Sequence, residues 1–330
     1  MTLRLLGHIE LPPHRSSGGF DHADVHSPTD RIYVAHTAND SIDVIDCAQD
    51  RYIESIPGLT AVAGALVSEA RGLIFTTNRG ENTVSIFAPG DERNAFKVGV
   101  GVKPNGVAFD SKRGLLVVAN VGDPAISNSH TASVVDVRRK ERVAEIEVPG
   151  RTRWAIYDTA IETFFVNIAS PALIVAIDAR EPIKISKEYV VPAEGPHGLD
   201  LDPATGRLFC ACDAGILFAI DAPSGHVLGN VPLSGAPDVI FLNQRTGHLY
   251  VAIGDPGVID VIDVAAMRRE AVVPTESGAH TLRSTGKEAK SMRFCRDRIV
   301  PQCSWMRLDG GAAHSEGSPF ERSSCLRQPE

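Results

Sequence analysis

The sequence lacks several features that would assign it to a functional class directly. No apolar run approaches the length of a membrane-spanning helix, so no membrane partner is expected. The opening segment, MTLRLLGHIELPPHRSSGG, has too short an apolar stretch and no small-residue cleavage site for a signal peptide, which predicts a cytoplasmic protein. Basic residues are outnumbered, with 33 Lys and Arg against 41 Asp and Glu and a net charge of −8, and this argues against a nucleic-acid partner.

Specific catalytic and metal-binding motifs are missing as well. No Gly-x-Ser-x-Gly segment is present, so the nucleophile elbow of the α/β-hydrolases is not expected. Cys210 and Cys212 alternate along a predicted strand, but no second cysteine pair with zinc spacing follows them. Helical periodicity is absent throughout, which excludes a solenoid of paired helices.

An internal repeat dominates what the sequence does contain. An apolar segment ending in Asp, or in Phe in one case, recurs at intervals of 41, 49, 42, 43 and 42 residues, with its last residue at Asp46, Phe87, Asp136, Asp178, Asp221 and Asp263. A second apolar run, rich in β-branched and aromatic residues, lies about ten residues before each of these ends. Turn-forming residues precede that run, and a polar turn and another strand follow the Asp. Four short antiparallel strands per forty-odd residues predict the blades of an all-β propeller.

Two of these repeats resemble a known family. RIYVAHTANDSIDVID (31–46) and GLIFTTNRGENTVSIF (72–87) are similar to the repeat of the YVTN/YncE-type propellers. The resemblance extends over about residues 1–282 and implies a seven-bladed β-propeller, a WD40/YVTN-like repeat protein of mostly undefined function. It also implies that related proteins can be exported.

Six blades are recognisable in the sequence. They occupy about residues 20–57, 58–100, 101–150, 151–194, 195–234 and 235–277. The opening segment 3–12 matches a fourth strand, and in a closed propeller such a strand completes the last blade and removes the open sheet edges. We therefore predict a propeller domain over residues 1–282, with a seventh blade that starts at residue 279 and contributes three strands.

The repeat pattern disappears after residue 282. Residues 283–330 show no alternation and a sudden excess of Arg and Cys. We predict a one-nucleotide frameshift near codon 283, because shifted codons permit His-Thr-Leu-Ala-Phe-Asp at 280–285 and an apolar strand at 290–295. The alternative is a naturally divergent tail. Either origin predicts a truncated or frameshifted seventh blade and a poorly ordered segment 283–330.

The repeat register also predicts a functional face. In a propeller the first strand of each blade lines the central channel, and the loop that enters this strand lies at the channel mouth. Six polar residues fall at that position and form the predicted ligand site: His22, Asn105, Arg153, His197, Asp238 and His280. The ten-residue insertion 121–130 and the loop residues His36, Asn78, Asn167 and Asp213 are expected on the same face.

Three interpretations of this predicted site stay open at the level of sequence. His22, His197, Asp238 and His280 have the donor types of a divalent metal site, which would leave positions open for water and substrate. Alternatively, Arg153 holds an anionic group with Asn105 as a neutral hydrogen-bonding partner. The polar groups could also simply satisfy one another and channel water.

These interpretations lead to two functional hypotheses. The first is a non-enzymatic propeller that binds a small molecule or a protein at the channel mouth. The second is a metal-dependent hydrolase or lyase of lactone-like or other small polar substrates, with a divalent metal ion as its cofactor.

Overall fold

The computed structural model describes residues 2–285, 290–295 and 302–309. These residues form twenty-eight β-strands and three short 3-10 helices (Ser27–Thr29, Thr37–Asn39 and Glu92–Asn94), and no α-helix occurs among them. No helix in this part of the chain has the length and apolar character needed to cross a membrane. The all-β prediction is confirmed.

The strands form seven antiparallel four-stranded sheets. Seven inner strands lie next to one another around the ring: β2 (Ala23–His26), β6 (Val62–Ser68), β10 (Pro104–Asp110), β14 (Thr152–Asp158), β18 (Pro196–Asp202), β22 (Pro237–Asn243) and β26 (Ala279–Thr285). The second strands are β3 (Arg31–His36), β7 (Leu73–Asn78), β11 (Leu115–Asn120), β15 (Thr163–Ile168), β19 (Arg207–Cys212), β23 (His248–Ile253) and β27 (Lys290–Cys295).

The third and fourth strands complete each sheet. The third strands are β4 (Ser41–Asp46), β8 (Thr83–Phe87), β12 (Thr131–Asp136), β16 (Leu173–Asp178), β20 (Ile216–Asp221), β24 (Val258–Asp263) and β28 (Gln302–Asp309). The outer strands are β5 (Arg51–Pro57), β9 (Phe96–Gly99), β13 (Glu141–Glu147), β17 (Lys187–Val190), β21 (Val227–Pro232), β25 (Arg268–Pro274) and, for the last sheet, β1 (Thr2–Glu10). Six blades thus match the six repeats of the sequence.

The seventh sheet joins the two ends of the chain. Strand β1 pairs antiparallel with β28, and β28 pairs in turn with β27 and β26. In the described residues this sheet begins at Ala279, and the opening segment forms its outer strand. The predicted limit at residue 282 falls inside β26, and the backbone of the described residues continues the strand order beyond it. Residues 286–289, 296–301 and 310–330 of the predicted tail lie outside the described residues.

The hydrophobic core lies between the blades and not within them. The described apolar residues form seven buried clusters, and each cluster joins two adjacent sheets. Phe164 and Phe165 show the principle, because they are consecutive in β15 and contribute to the clusters on opposite sides of blade four. Side chains alternate between the two faces of a strand, so each blade needs both neighbours to bury its apolar residues.

The repeated Asp at the end of the third strand serves the scaffold. The Oδ1 atom of Asp46 accepts hydrogen bonds from the backbone N–H groups of Ala48 and Gln49, at 2.9 and 3.0 Å. Asp136 and Asp263 accept the same pair of bonds in their own blades. The residue therefore fixes the turn to the outer strand, as its recurrence predicts.

Close contact between inner strands makes a glycine necessary in blade three. A Cβ atom on Gly106 would lie 2.5 Å from the carbonyl oxygen of Arg153 and 2.9 Å from the backbone nitrogen of Ala155 in blade four. We expect Gly106→Ala to lower the free energy of unfolding by about 1–3 kcal/mol, since the added methyl group forces two backbones apart. Urea unfolding measures the change. Gly99→Ala, where a Cβ meets nothing within 4 Å, is the matched control and should unfold close to the unaltered protein; equal losses in both variants would contradict this account.

Candidate functional site

The inner strands place one residue of each blade at the channel mouth. Strand pairing aligns Ala23↔Val34 in blade one with Val107↔Val118 in blade three, each at the same distance from its hairpin turn. Counting two residues back along each inner strand gives the mouth ring: Asp21, Ala63, Asn105, Arg153, His197, Asp238 and His280. Five of the six predicted site residues occupy this ring. His22 lies one position deeper, and Asp21 takes the place predicted for it.

A cavity of about 720 Å³ opens within this ring. All six predicted residues line it: His22, Asn105, Arg153, His197, Asp238 and His280. The inserted segment forms part of its wall through Val121, Gly122, Pro124 and His130. The fold therefore brings together side chains that are up to 258 residues apart in the sequence, as between His22 and His280, and their role as a ligand site stays a prediction.

Asp21 is the centre of one group of charges at the mouth. Its carboxylate lies 3.0 Å from Nη1 of Arg79, 3.3 Å from Nε2 of His22 and 3.8 Å from Nε2 of His280. Arg79 also donates a hydrogen bond to Oδ1 of Asn105. Asp21, His22 and His280 are all buried, so these charges interact with little screening by water.

A second group of charges continues around the ring from His280. Nδ1 of His280 contacts Oδ2 of Asp238, and Oδ1 of Asp238 lies 3.5 Å from Nε2 of His197. Nδ1 of His197 is hydrogen-bonded to Oδ1 of Asp213 at 2.7 Å. Arg153 lies 3.4 Å from both His197 and Asp213. Acidic and basic groups thus alternate from blade two through blades one, seven, six and five to blade four.

The alternating charges shift the protonation of the buried groups. Burial alone would raise the pKa of Asp21, but Arg79 and the two imidazoles outweigh burial and hold this pKa well below its usual range. Burial opposes ionisation of Asp238 in the same way, and His280 and His197 lower its pKa. For His280, burial disfavours the protonated form, yet Asp238 and Asp21 raise its pKa to about 9. His280 is therefore an imidazolium at neutral pH.

His22 behaves in the opposite way. Burial is the largest influence on it, and although Asp21 favours the charged form, the pKa of His22 is lowered to about 4. Its neutral ring packs on Trp154 from the far side of the channel, with ring centroids 4.1 Å apart. The pair closes the floor of the cavity. Trp154 is thus a plug that fills the channel below the mouth.

Stability should have a maximum near neutral pH. His280 has a raised pKa, so its contribution is fully present below pH 6.5 and is lost as the pH rises through about 9. His22 has a lowered pKa, so its contribution is present above pH 6.5 and is lost as the pH falls towards about 4. Melting temperatures between these limits test this, and His280→Gln should remove most of the alkaline decline. A decline of unchanged size in that variant would contradict the assignment.

The lining of the cavity is positive although the chain is acidic. Four permanently charged cations line it, Arg79, Lys103, Arg151 and Arg153, against two carboxylates, Asp21 and Asp238. The whole chain carries a net charge of −8. The described side chains that line the cavity therefore have the opposite sign to the net charge of the chain, although Lys103 and Arg153 pair with Asp123 and Asp213 outside the lining. A concave site lined by one sign of charge attracts ligands of the other.

The sequence pattern missed several of these side chains. Arg79 follows β7, Arg151 precedes β14, and Lys103 precedes β10, so all three lie in loops outside the strand register. Of the four loop residues predicted on this face, Asp213 reaches the site through His197. His36, Asn78 and Asn167 lie at the same end of the propeller, where their second strands finish, but they are fully buried and do not line the cavity. Nδ2 of Asn167 donates a hydrogen bond to the backbone carbonyl oxygen of His197.

No group of three or more His, Cys, Asp or Glu side chains in the described residues has an arrangement that could hold a metal ion. In the predicted metal set, the ring nitrogens of His197 and His280 face carboxylates of Asp213, Asp238 and Asp21. The cysteine pair is elsewhere, since Cys210 and Cys212 are free and buried in the core. A metal at His22, His197, Asp238 and His280 stays a prediction.

Comparison with known proteins supports the fold and nothing more specific. No protein-family model and no curated protein sequence matches the chain, so the resemblance to the YVTN/YncE-type repeat stays a prediction. Among solved structures, the fold is similar to a chain of Kuenenia stuttgartiensis hydrazine synthase, with a TM-score of 0.74 over 88% of this chain and 96% of that chain. The sequence identity is 13%, at which the similarity shows the fold alone. The chain is a β-propeller, an architecture compatible with ligand or protein binding.

Proposed function

We propose that this protein is a non-enzymatic binding propeller that takes a small anionic molecule at the channel mouth. The observation that carries the proposal is the concentration of Arg79, Lys103, Arg151 and Arg153 around one cavity in an acidic chain. The cavity volume of about 720 Å³ falls within the range of small-molecule sites. A concave site of this size favours a small ligand over a protein surface.

Arg151 and Arg153 are the best candidates for direct contact with the anion. Both belong to the start of blade four and line the cavity, and Arg151 is exposed. Burial and the positive charge of Arg151 lower the pKa of the Arg153 guanidinium while Asp213 and Asp238 act in the opposite direction, so a further negative charge beside Arg153 would stabilise its ionised form. A carboxylate or phosphate would supply that charge, and guanidinium groups bind both in a bidentate manner.

His280 supplies a further donor to the same cavity. Its Nε2 atom is buried and has no hydrogen-bond partner, because the nearest carboxylate oxygen, on Asp21, is 3.8 Å away. A buried N–H without an acceptor costs about 1–3 kcal/mol. An oxygen of a bound anion near the cavity floor would remove this cost.

Calorimetry and thermal melting with chosen anions test the proposal. Inorganic phosphate and succinate, titrated against matched sodium chloride, should bind at one site and raise the melting temperature, whereas glucose should do neither. Failure of both anions to bind beyond the chloride control would overturn the proposal.

The same titration decides between this proposal and the metal-dependent hypothesis. A site built from the chain's own cations keeps its anion affinity after dialysis against EDTA. A divalent ion at His22, His197, Asp238 and His280 would make that affinity, and the melting temperature, depend on the metal.

A further inference from the structure

The channel contains a second cavity below the contact between His22 and Trp154. This lower chamber has a volume of about 450 Å³ and is lined by the inner strands and by residues of their hairpin turns, among them Glu69 and Gln244. Only the plug residue His22 lines both cavities. The lower chamber is therefore separate from the mouth.

The strand register shows which residues surround the lower chamber. Three positions beyond the mouth ring along each inner strand, about 10 Å deeper, lies a second ring: Asp24, Leu66, Ala108, Ile156, Asp200, Phe241 and Arg283. Most of this ring is apolar, and Phe109, Trp154 and Tyr157 add aromatic surface. Among the described residues, the charged side chains that line the chamber are Asp24, Glu69 and Asp200 against Arg283. Its charge is thus opposite to that of the mouth.

Two carboxylates are held in place by the scaffold. Asp24 accepts the N–H of Val25 on Oδ1 at 2.9 Å and that of Val67, in blade two, on Oδ2 at 2.8 Å. Asp200 accepts the equivalent bonds from Leu201 at 2.8 Å and from Leu242, in blade six, at 2.7 Å. Oδ1 of Asp24 also accepts a hydrogen bond from Nε of Arg283, whereas Oδ2 of Asp24 and both oxygens of Asp200 keep a further lone pair, so the carboxylates are fixed without being saturated.

The chain already places a cation of its own in this chamber. Nε of Arg283 lies 3.2 Å from Oδ1 of Asp24, and its guanidinium carbon lies 5.9 Å from the centroid of the Trp154 ring. An aromatic face together with a carboxylate is the environment that organic cations prefer. The guanidinium occupies that environment as a tethered ligand would.

We propose that the lower chamber is a second binding site, selective for a small organic cation of the guanidinium or alkylammonium class. Trp154 provides its aromatic face, Asp24 and Asp200 provide its counter-charges, and Arg283 competes for it from within the chain. The site is independent of the anion site above the plug, since the two cavities have no charged residue in common.

Removal of the internal competitor tests the proposal. Methylguanidinium, titrated against sodium chloride at equal ionic strength, should bind Arg283→Ala at least about tenfold more tightly than the unaltered protein, because the freed ion pair is worth about 1.4 kcal/mol or more. The indole N–H signal of Trp154, assigned with Trp154→Phe, should shift on binding. Arg283→Lys keeps a cation in the chamber and should behave as the unaltered protein.

Two further results complete the test. If Arg283→Ala does not fold, Arg283→Gln keeps the length of the side chain, removes the charge and should show the same gain. Arg153→Ala should leave methylguanidinium binding unchanged, which separates this site from the mouth. Equal affinity in the neutral and lysine variants, or binding that does not shift the Trp154 signal, would overturn the proposal.

Discussion

Replacement of both Arg151 and Arg153 by alanine is expected to weaken the binding of phosphate and succinate by about a hundredfold or more. A charge-assisted hydrogen bond contributes about 1.5–3 kcal/mol, and each 1.4 kcal/mol is a factor of ten in affinity. Both side chains line the mouth cavity, and neither takes part in the backbone pairing that joins β14 to β15. Isothermal titration calorimetry measures the loss, and the single variants divide it between the two residues.

Arg180→Ala is the matched control for the double variant. Arg180 is an exposed arginine that pairs with Asp178 away from the cavity. Its removal lowers the charge of the chain without touching the mouth, so affinity should stay within twofold. Unchanged affinity in the double variant would show that the cations do not bind the ligand. An equal loss in the control would show that only the overall field matters.

Replacement of Asp21 by alanine is expected to lower the free energy of unfolding by about 3–5 kcal/mol. Asp21 is the carboxylate that faces Arg79, His22 and His280 at once, and it is buried. Without it, the buried His280 imidazolium keeps only Asp238 as a counter-charge, and Arg79 has no other ion partner among the described residues. Removal of one partner of a buried ion pair leaves the other charge uncompensated, and this strongly destabilises the folded state.

Urea denaturation measures this effect, and Asp123→Ala supplies the comparison. Asp123 also pairs with a cation that lines the mouth, Lys103, at 2.8 Å, but this pair is exposed. Its loss should not change the unfolding midpoint measurably, because exposed pairs contribute little. Similar midpoints for both variants would mean that Asp21 does not organise the mouth.

The propeller fold could be predicted because the pattern of strands and turns that forms one blade is repeated along the sequence. Strand pairing requires the same turn chemistry in every blade, and Asp46, Asp136 and Asp263 accept the same backbone hydrogen bonds in three of them. A strand that is wrongly assigned in one repeat can be corrected by comparison with the equivalent strands of the other repeats. The closing role of the opening segment followed from the same reasoning, because it fits only a fourth strand.

The composition of the mouth was harder to predict, because the strands are irregular there. The register shifts between Pro104 and Val107 in blade three, and between Pro196 and Gly198 in blade five. In blade one, Asp21 N–H donates to the carbonyl oxygen of Ala35 and the carbonyl oxygen of His22 accepts from Ala35 N–H, so two residues face one partner. Counting along the sequence is ambiguous by one position at such a point, which explains why His22 was predicted where Asp21 lies. Arg79 and Arg151 come from loops, and the repeat pattern carries no information about how far a loop side chain reaches.

The predicted frameshift now has a structural consequence. The shifted codons permit alanine at position 283, and with alanine there the lower chamber would lose its internal guanidinium. Position 293 is the strand partner of Leu282, and it corresponds to Val166, the strand partner of Ala155 in blade four. Residues of this register in the other six blades are buried, and the present chain has arginine there. Sequencing independent isolates across codon 283 decides whether the restored frame exists.

The pairing of β1 with β28 sets an order of events during synthesis. Strand β1 leaves the ribosome before its partner at Gln302–Asp309, which is made about 290 residues later. Translation at roughly 5–20 residues per second leaves β1 without its sheet for about 15–60 seconds. During that interval its unpaired backbone is a target for chaperones and for neighbouring nascent chains, and a bulky tag at this end would interfere with the last step of folding instead of the first.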